Sequence, residues 1–499
     1  MVPRTLLCLL LVEFSTAFKF LAVIPRQGKS HVNFMTRISE SLIDAGHEVV
    51  ILSAVFDSRI GNGTERARIY QVPQSLLHRG VEEMIANMGG LVSMMWEASR
   101  TMMTVAQYEP FVRAGVEQCN DTFAQPGLIE ALRAEKFDAA YAETLDYCAF
   151  ALFHVLGIEK YAVTMSVSTL ERQYFLTQAP TTPSYVPSLI SDSFSDKMTF
   201  WERLWNAYTS LYIIDLYSLL YFDCYNELLR SFDASFPSIQ DLLARSSYVF
   251  FNSDPYTDFP RPISHKIVDI GGISVAHGAK PLNATWSSIM DLRPRTILIS
   301  FGTFAESHQM PEAFKKTIQE TVKAFLDVTF IWKYEKPEHG ISTGIDNLVE
   351  STWIPQNDML GDARLTAFIT HGGQGSITEA NNAGVPLIVI PVISDQGRNA
   401  KQVERNGVGI IVEKAALRAP GPLATALKEL LGNPTYGDKA KQLASVLADR
   451  PFSSSELFVR HMQFLAAHGP LRQLDHYGAR LNFFQYYLID VAAFVVFIV

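Results

Sequence analysis

The sequence predicts an α/β protein built from two doubly wound domains that face each other across a cleft. Three observations lead to this fold class. A length of 499 residues is enough for two or three domains. Near-continuous runs of Ile, Leu and Val alternate with segments of helical spacing, and two such stretches flank a more irregular centre. Runs of this kind are typical of parallel strands covered by helices on both faces, where ligands bind at the carboxyl ends of the strands.

Composition and motifs exclude several classes of protein. Apolar residues make up 48% of the chain and charged residues 19%, which is typical of a folded protein rather than a disordered one. With 42 basic and 51 acidic residues the formal net charge is −9, so nucleic acid is not an expected partner. The sequence contains no Walker A, H-E-x-x-H or G-x-S-x-G motif and no Cys/His cluster with zinc spacing. We therefore expect no metal.

Continuous apolar runs give the predicted strands, and the predicted helices lie between them. In the first domain, residues 18–275, strands are predicted at 18–25, 48–56, 137–143, 160–167, 248–252 and 266–273, with helices at 30–46 and 148–156. In the second domain, residues 295–450, strands are predicted at 296–301, 328–333, 348–353, 365–370 and 385–390. Residues 276–294, rich in Pro, Ala and Ser, are the expected linker, and residues 451–482 are an expected helical return segment.

Both ends of the chain carry features of an exported membrane protein. Residues 1–17 have the pattern of a secretory signal peptide, with Arg4 before an apolar run and small residues at 15–17. Residues 483–499 are apolar with aromatic residues at their start, which predicts a membrane anchor whose final turns are missing; a buried amphipathic helix is the alternative. Sequons at Asn62, Asn120 and Asn283 are typical of a lumenal or extracellular chain.

The sulfur-containing residues leave two questions open. Cys8 belongs to the signal segment, so a Cys119–Cys148 disulfide with Cys224 free is one interpretation, and three buried thiols are the other. Six Met residues lie within twenty positions of the first domain, where they indicate either an adaptable apolar pocket or an ordinary core or membrane-facing helix. They are Met84, Met88, Met94, Met95, Met102 and Met103.

The residues with the strongest chemical signal follow predicted strands of the second domain. His371 and two Gly stand where a buried strand ends and a helix begins, so the free N–H groups of the first turn can bind an anion such as a diphosphate. Glu379, further along that helix, suits ribose hydroxyls, and Asp395-Gln396 after the next strand suits the hydroxyls of a sugar. Trp353 offers a flat face to a base, while Gln356 can bond the edge of the base.

Residues 353–396 resemble the nucleotide-sugar signature of the UDP-glycosyltransferase family, which includes the animal UDP-glucuronosyltransferases. This block is long and specific, and the resemblance covers most of the chain. Further matching residues are Ser30-His31, Gly46-His47-Glu48-Val49, Phe137-Asp138, Asp269-Ile270-Gly271-Gly272 and Ser300-Phe301-Gly302-Thr303, together with the terminal anchor. The resemblance implies the GT-B architecture, in which the first domain binds an acceptor and the second binds a UDP-sugar.

The resemblance also implies residue roles in donor binding. Trp353 would stack on uracil, Gln356 would contact the uridine, Glu379 would hold the ribose, and Asp395 with Gln396 would hold the sugar. The diphosphate would be bound by Ser300, Gly302, Thr303, His371, Gly373, Gly375 and Ser376. The family often has Asn four residues after His371, where this chain has Gly375, so a side-chain contact is in doubt there while backbone donors remain. No cofactor is implied, because UDP-glucuronate or UDP-glucose is a co-substrate.

His31 is the expected general base. It follows the end of the first strand and opens a helix that faces the cleft, and a neutral imidazole can take a proton from an acceptor hydroxyl. The partner carboxylate has two candidates. Relatives carry Asp at the position of Glu143, which is one methylene longer, and Asp146 is the alternative. Either carboxylate could orient the imidazole and stabilise its protonated form.

The resemblance predicts an inverting transferase that moves glucuronic acid or glucose from a UDP-sugar to a small lipophilic acceptor bearing a hydroxyl. It implies a single-pass protein of the endoplasmic reticulum membrane with lumenal catalytic domains, and it leaves the oligomeric state open, a homo-oligomer included. A non-catalytic lipophile-binding or carrier protein is the alternative, favoured only by Glu at position 143. A cofactor-dependent oxidoreductase is disfavoured, because Gly373-Gln374-Gly375 is followed by Thr378 where a dinucleotide fingerprint needs Gly.

The sequence contains one argument for glucose and one for glucuronate as the transferred sugar. Glucuronosyl relatives carry Arg, a natural partner for a carboxylate, just before the pair that matches Asn252-Ser253, and this chain has Phe251 there. That difference favours glucose, whereas the family resemblance favours glucuronate. Arg398 could replace the missing cation, although a surface salt bridge is the ordinary role of such a residue.

Overall fold

The computed structural model describes residues 17–87, 91–97, 105–167, 181–189, 194–275, 279–303 and 305–498. Of the expected signal segment, residues 1–17, only Ala17 lies among them. The predictions made for Met88, Met102 and Met103 fall outside the described residues, and so does the side chain of Met84.

The first domain is built on a parallel sheet, which in the described residues has the strand order β3-β2-β1-β4-β5-β6-β7. Its strands are β1 (Lys19–Val23), β2 (Glu48–Ala54), β3 (Arg68–Val72), β4 (Ala139–Glu143), β5 (Tyr161–Met165), β6 (Tyr248–Phe251) and β7 (Ile267–Asp269). Its helices are α1 (Lys29–Asp44), α2 (Leu76–Asn87), α3 (Leu91–Glu97), α4 (Val105–Ala124), α5 (Leu128–Glu135), α6 (Cys148–Leu156), α7 (Phe200–Tyr208), α8 (Ile214–Phe232) and α9 (Ile239–Ala244). Alternate residues of β1 enter two different cores, so both faces of the sheet are covered.

The second domain is also a parallel sheet, with the order β10-β9-β8-β11-β12-β13 in the described residues. Its strands are β8 (Arg295–Ser300), β9 (Val328–Lys333), β10 (Leu348–Ser351), β11 (Leu365–Thr370), β12 (Leu387–Val389) and β13 (Gly409–Ile411). The remaining helices are α10 (Ala284–Met290), α11 (Glu312–Lys323), α12 (Gln356–Leu360), α13 (Gln374–Ala383), α14 (Gln396–Asn406), α15 (Pro420–Gly432), α16 (Thr435–Ala448), α17 (Ser454–His468), α18 (Phe483–Tyr486) and α19 (Ile489–Ile498). All the predicted strands are present, and β3 and β13 are additional.

The expected linker, residues 276–294, is not irregular throughout. Asn283 caps helix α10, because its side chain accepts a hydrogen bond from the N–H of Trp286 at 3.0 Å. Met290 at the end of α10 is buried in the core of the second domain. The segment therefore contains a short helix of the second domain that its composition did not predict.

Two helices cross from one domain to the other. Helix α17 returns to the first domain, where Phe458 and Met462 pack in the same core as Phe20. In the opposite direction, Trp96 of α3 is fully buried in the core of the second domain, with its ring centroid 5.2 Å from that of Phe301. The neighbouring Met95 packs there too, so this Met follows the ordinary-core interpretation and not the pocket interpretation.

A single disulfide joins two helices of the first domain in the described residues. Cys119 of α4 and Cys148 of α6 are bonded, with their Cα atoms 5.4 Å apart. Cys224 lies half-buried outside this disulfide. The preferred pairing is confirmed, and the interpretation with three buried thiols is wrong.

The structure does not show the membrane anchor that was predicted for residues 483–499 with its final turns missing. The backbone of Leu488 is in the left-handed region at φ +55°, and this break separates α18 from α19. Helix α19 covers 10 described residues. Within residues 17–498 as described, no helix has the length and apolarity to cross a membrane.

Candidate active site

His31 and Glu143 meet at the carboxyl edge of the first sheet. Strands β1 and β4 are hydrogen-bonded neighbours, so the start of α1 after β1 lies beside the end of β4. Nδ1 of His31 is 3.0 Å from Oε1 of Glu143, the last residue of β4. Among the described residues Nε2 of His31 has no hydrogen-bond partner. One ring nitrogen is thus held by a carboxylate while the other is available to a ligand.

Two further polar residues complete this group, and the sequence analysis missed them. Ser166 follows β5, and its Oγ is 2.6 Å from Nδ1 of His31 while its backbone N–H donates to Oε1 of Glu143 at 2.9 Å. Asn252 follows β6 and donates from Nδ2 to the carbonyl of Ser166 at 2.8 Å. Each residue stands directly after a buried strand, the same signal that identified His371 in the second domain.

In His31 and Glu143, the charge of each partner shifts the pKa of the other in the direction opposite to the effect of burial. Burial alone would lower the pKa of His31, but the charge and hydrogen bond of Glu143, with a smaller contribution from Asp395, raise it above its ordinary value. For Glu143, burial acts to raise the pKa, but His31 and Ser166 together hold it below its usual range. Glu143 is therefore an ionised carboxylate placed to stabilise an imidazolium.

Asp146, the alternative partner, lies elsewhere. It is buried and accepts a hydrogen bond from the N–H of Cys148 at 3.0 Å, at the start of α6. Burial raises its pKa to about 6, and its charge contributes to the raised pKa of Tyr225. Of the two candidates, the structure brings only Glu143 to His31.

His371 is enclosed by two glycines of the second domain. A Cβ on Gly302 would lie 2.7 Å from Cε1 of His371, and a Cβ on Gly373 would lie 2.4 Å from Nε2. Gly302 also has φ +78°, a conformation that other residues rarely adopt. Burial and the charge of Lys333 lower the pKa of His371 to about 4, so its imidazole is neutral at neutral pH. The ring can donate or accept a hydrogen bond without carrying charge.

The first turn of α13 is open to an anion. Its N-cap residue Gly373 makes no side-chain capping bond, so the N–H groups of the turn remain available. The position of a Cβ on Gly375 has no neighbour within 4 Å, which leaves room for a ligand where relatives often have Asn. On the facing loop, Ser300 is buried and its Oγ accepts from the N–H of Gly302 at 3.4 Å, while Thr303 is exposed.

Gln356, Ser376 and Glu379 form a second polar group beside this turn. Nε2 of Gln356 donates to Oε2 of Glu379 at 2.6 Å and to Oγ of Ser376 at 3.2 Å. Burial raises the pKa of Glu379. Trp353 is 64% exposed, so its ring offers a free face. These residues can bind hydroxyl groups and an aromatic base next to the anion site.

Asp395 and Gln396 stand at the start of α14. Oδ2 of Asp395 accepts from Nδ2 of Asn399 at 2.7 Å, and burial raises the pKa of Asp395. Oε1 of Gln396 accepts from the N–H groups of Val392 and Ile393 at 2.8 and 2.9 Å, so this side chain braces the loop after β12. The charge of Asp395 contributes to the raised pKa of His31, which lies on the other domain.

Both residues considered for donor choice, Phe251 and Arg398, are buried. Phe251 is fully buried in the core of the first domain, so its identity does not determine what binds in the cleft. Arg398 is buried at the domain interface, where Nη1 lies 2.7 Å from Oδ1 of Asp258 and Nε donates to the carbonyl of Pro187 at 3.0 Å. The expected surface salt bridge of Arg398 is in fact a buried link between domains.

Comparisons with known proteins identify the family of the chain. The family model described as "UDP-glucoronosyl and UDP-glucosyl transferase" matches residues 19–499. The protein ugt-48 of Caenorhabditis elegans, which carries the name of a UDP-glucuronosyltransferase, is 30% identical over an alignment that covers 98% of this chain and 94% of the relative. UDP-glucuronosyltransferase 1A8 of Rattus norvegicus is 28% identical, with 99% and 91% covered.

Solved structures confirm the GT-B fold. A UDP-glucosyltransferase from Polygonum tinctorium superposes with a TM-score of 0.60 at 15% identity, covering 91% of this chain and 99% of that chain. UGT2 of Phytolacca americana, in complex with UDP-2-fluoro-glucose and pterostilbene, gives a TM-score of 0.59 at 14% identity, covering 91% and 100%. Because the family model matches nearly its whole length, the chain belongs to the family of UDP-glucuronosyl and UDP-glucosyl transferases.

Proposed function

We propose that this protein transfers a hexosyl group, glucuronic acid or glucose, from a UDP-sugar to a small lipophilic acceptor with inversion at the anomeric carbon. The observation that carries the proposal is the His31–Glu143 contact of 3.0 Å on one domain, combined with the open first turn of α13 and with Asp395, whose charge acts on His31, on the other domain. A base and an anion site on opposite walls of a cleft are what a displacement between an acceptor oxygen and a diphosphate requires.

The reaction follows from the charges of these residues. Nε2 of neutral His31 takes the proton of the acceptor hydroxyl while that oxygen forms a bond to the anomeric carbon. The bond between the anomeric carbon and the diphosphate oxygen breaks, and the electron pair leaves with UDP. The ionised carboxylate of Glu143 stabilises the imidazolium, and the N–H groups at the start of α13 stabilise the leaving diphosphate. Attack opposite to the leaving group converts an α-linked donor into a β-glycoside.

Donor binding uses the polar groups of the second domain. The open face of Trp353 would stack on uracil, and Gln356 would contact the uridine. The Gln356–Glu379 bond of 2.6 Å places the Glu379 carboxylate where ribose hydroxyls could replace the amide as its partner. Asp395 and Gln396 would hold the transferred sugar, which lies between α14 and His31. The glycines that enclose His371 would let the diphosphate approach the backbone.

We also propose that the chain works in the lumen of the endoplasmic reticulum and contacts its membrane. The Cys119–Cys148 disulfide supports an oxidising compartment. The sequon residues Asn120 and Asn283 are exposed and can accept a glycan. The apolar side chains of residues 483–497 are largely exposed, which supports contact with lipid.

Release of UDP tests the proposed transfer. The complete protein is given UDP-glucose or UDP-glucuronate together with a panel of phenols and sterols. We expect UDP release that depends on acceptor, and loss of that release in His31→Ala with UDP affinity unchanged, because the base and the donor site lie on different domains. Full activity of His31→Ala would contradict the assignment of the base. The non-catalytic carrier has no observation in its favour, because the longer Glu143 side chain does reach His31.

A further inference from the structure

We propose that a cavity in the surface of the first domain holds the first N-acetylglucosamine of a glycan attached to Asn120. This inference rests on the lumenal location put forward with the proposed function, and it does not depend on the transfer reaction. The cavity has a volume of about 540 Å³, and Asn120 is one of the residues that line it. Sites for small molecules span about 300–1,000 Å³, so the cavity has room for a sugar ring.

The cavity lies away from the candidate active site. Its lining residues come from the last turns of α4 and α6, from α5, and from the end of α8 with the residues that follow it. Helix α6 begins after Glu143, at the carboxyl edge of the sheet, and ends before β5 begins, at the amino edge. His154 and Val155, at the end of α6, therefore place the cavity at the edge opposite to His31. A glycan at this edge is remote from the cleft.

Asn120 has the sequence context and the exposure that glycosylation needs. It begins the sequon Asn120-Asp121-Thr122, and it is exposed on the last turns of α4. The preceding Cys119 is bonded to Cys148, so the disulfide fixes this part of α4 against α6.

The co-substrate of this modification is an oligosaccharide carried on a lipid diphosphate. The amide nitrogen of Asn120 forms a bond to the first carbon of the sugar, and the amide proton is released. The bond from that carbon to the diphosphate oxygen breaks, and the electron pair leaves with the lipid diphosphate. The transfer takes place on the chain before it folds, so the burial of Thr122 in the folded protein does not prevent it.

Two pairs of aromatic rings line the cavity. Phe123 and Phe232 lie with their ring centroids 5.5 Å apart, and His154 and Phe236 lie with theirs 5.0 Å apart. Phe232 is 47% exposed, so its ring presents apolar surface that a ligand can cover. The C–H groups of a sugar ring form an apolar face that packs on aromatic rings. An aromatic lining that includes the acceptor asparagine itself therefore favours packing of the first sugar.

Two charged residues supply hydrogen bonds for the polar groups of the sugar. Arg133 and Asp233 both line the cavity. Nη2 of Arg133 donates to the carbonyl of Val155 at 2.9 Å, and a guanidinium has further N–H groups to donate. Oδ1 of Asp233 accepts from the N–H and the hydroxyl of Ser235 at 2.8 and 2.7 Å, and a carboxylate has a second oxygen that accepts. An entirely apolar ligand would cover these charges without bonding them, whereas a sugar with hydroxyls and an acetamido group bonds both.

The expected consequence is a glycan that stabilises the first domain, because a sugar packed on Phe232 connects the ends of α4 and α8. We expect the melting midpoint of Asn120→Gln to be about 2–4 °C lower than that of the glycosylated protein. Thr285→Ala is the matched control, since it removes the sequon of Asn283 and keeps the Asn283 side chain that caps α10. Its midpoint should not change, because Asn283 does not line the cavity.

The test uses the complete protein from cells that attach high-mannose glycans, and mass spectrometry of the peptide that contains Asn120 measures its occupancy. One portion is trimmed by an endoglycosidase that leaves a single N-acetylglucosamine, and another loses the whole glycan to an amidase. We expect trimming to keep the melting midpoint and complete removal to lower it. Asn120→Gln, treated in the same two ways, reports the effect of the other sequons and should show no such difference. An unmodified Asn120, or equal midpoints after trimming and complete removal, overturns the proposal.

A double-mutant cycle tests the contact with the cavity itself. Phe232→Ala should lower the midpoint of the glycosylated protein, and it should lower it less in the Asn120→Gln background, where the sugar contact is already lost. Additive losses in the double variant would show that the sugar does not pack on Phe232, and they overturn the proposal.

Two further readouts separate this proposal from the proposed function. Glycosylation of Asn283 without glycosylation of Asn120 overturns the cavity proposal and leaves the lumenal location standing. Acceptor-dependent UDP release is measured in the same preparations. A stabilising sugar at Asn120 in a protein that releases no UDP supports the cavity proposal, and in that case the proposed transfer fails alone.

Discussion

Arg398 of the second domain and Asp258 of the first form a buried ion pair, with 2.7 Å between Nη1 and Oδ1. Burial acts to raise the pKa of Asp258, but Arg398 and Arg261 hold it far below its usual range. Arg398 is three residues beyond Asp395 in the chain, so the pair connects the proposed sugar site to the domain that carries His31. The relative position of the base and the donor thus depends on this contact.

Removing one partner of this pair should lower the free energy of unfolding more than removing one partner of a surface pair. We expect Arg398→Met to lower the free energy of unfolding by about 1.5–3 kcal/mol, because the buried Asp258 loses one of its two cations and keeps Arg261. Arg405→Met is the matched control, since Arg405 of the same helix pairs with Asp196 at a more exposed site and should cost at most about 1 kcal/mol. Urea unfolding measures both variants. Equal losses would contradict the importance of the buried pair.

The pH dependence of transfer should identify the partner of His31. In Glu143→Gln, burial of His31 is opposed only by the smaller effect of Asp395, so the pKa of His31 should fall and the acid limb of kcat/KM should move to lower pH. Turnover should fall as well, because the imidazolium then loses the carboxylate that stabilises it most. In Asp146→Asn we expect no shift of the limb, since Asp146 bonds to Cys148 instead. A shift in Asp146→Asn alone would reverse the assignment.

Replacement by alanine should have different effects on UDP affinity at two glycines of the anion site. In Gly373→Ala the new Cβ would lie 2.4 Å from Nε2 of His371, so the ring must move and UDP affinity should fall by about tenfold or more. In Gly375→Ala the Cβ would enter open space, and the protein should be at least as stable because Ala favours a helix. Calorimetric titration with UDP compares the two. Similar affinities would show that His371 can move at no cost.

The sequence predicted the parts of this protein that depend on local pattern. The apolar runs gave the buried strands, and residues after strand ends, such as His31 and His371, were found because a parallel sheet brings those ends together. Strand β3 was missed because Arg68 and Gln71 make it a half-exposed edge strand without a continuous apolar run. Strand β13 was missed because it has only 3 residues and begins with Gly409.

Contacts between distant segments could not be predicted in the same way. Ser166 and Asn252 are common polar residues, and only the order of strands in the sheet places them beside His31. The burial of Trp96 depends on the second domain, whose core receives its ring. Arg398 had the sequence appearance of a surface residue on a polar helix, and only the docking of the two domains buries it.

The C-terminal apolar residues should determine whether the protein sediments with membranes. With residues 483–499 present we expect sedimentation with membranes, because side chains such as Phe494, Val496 and Phe497 are exposed and apolar. Deletion of these residues should release a folded protein with the same urea midpoint, since the two domains have their cores elsewhere. Carbonate extraction followed by sedimentation measures the difference. Recovery of the complete protein in the soluble fraction would contradict membrane contact.

Donor choice is the remaining question about the reaction, and we expect UDP-glucose to be used at least as well as UDP-glucuronate. Arg398 is engaged by Asp258 and the carbonyl of Pro187, so it is not available to a sugar carboxylate. Phe251 no longer bears on the choice, because it is buried in the first domain.

Competition between the two donors for one phenolic acceptor measures this preference, with His31→Ala as the background. Both donors share UDP, so contacts to the nucleotide cancel and the ratio of products reports only the contacts of the sugar. A preference for glucuronate above about tenfold, about 1.4 kcal/mol, would contradict our expectation. Such a result would mean that a cation other than Arg398 meets the carboxylate, and the Arg398→Met variant would then keep the same preference.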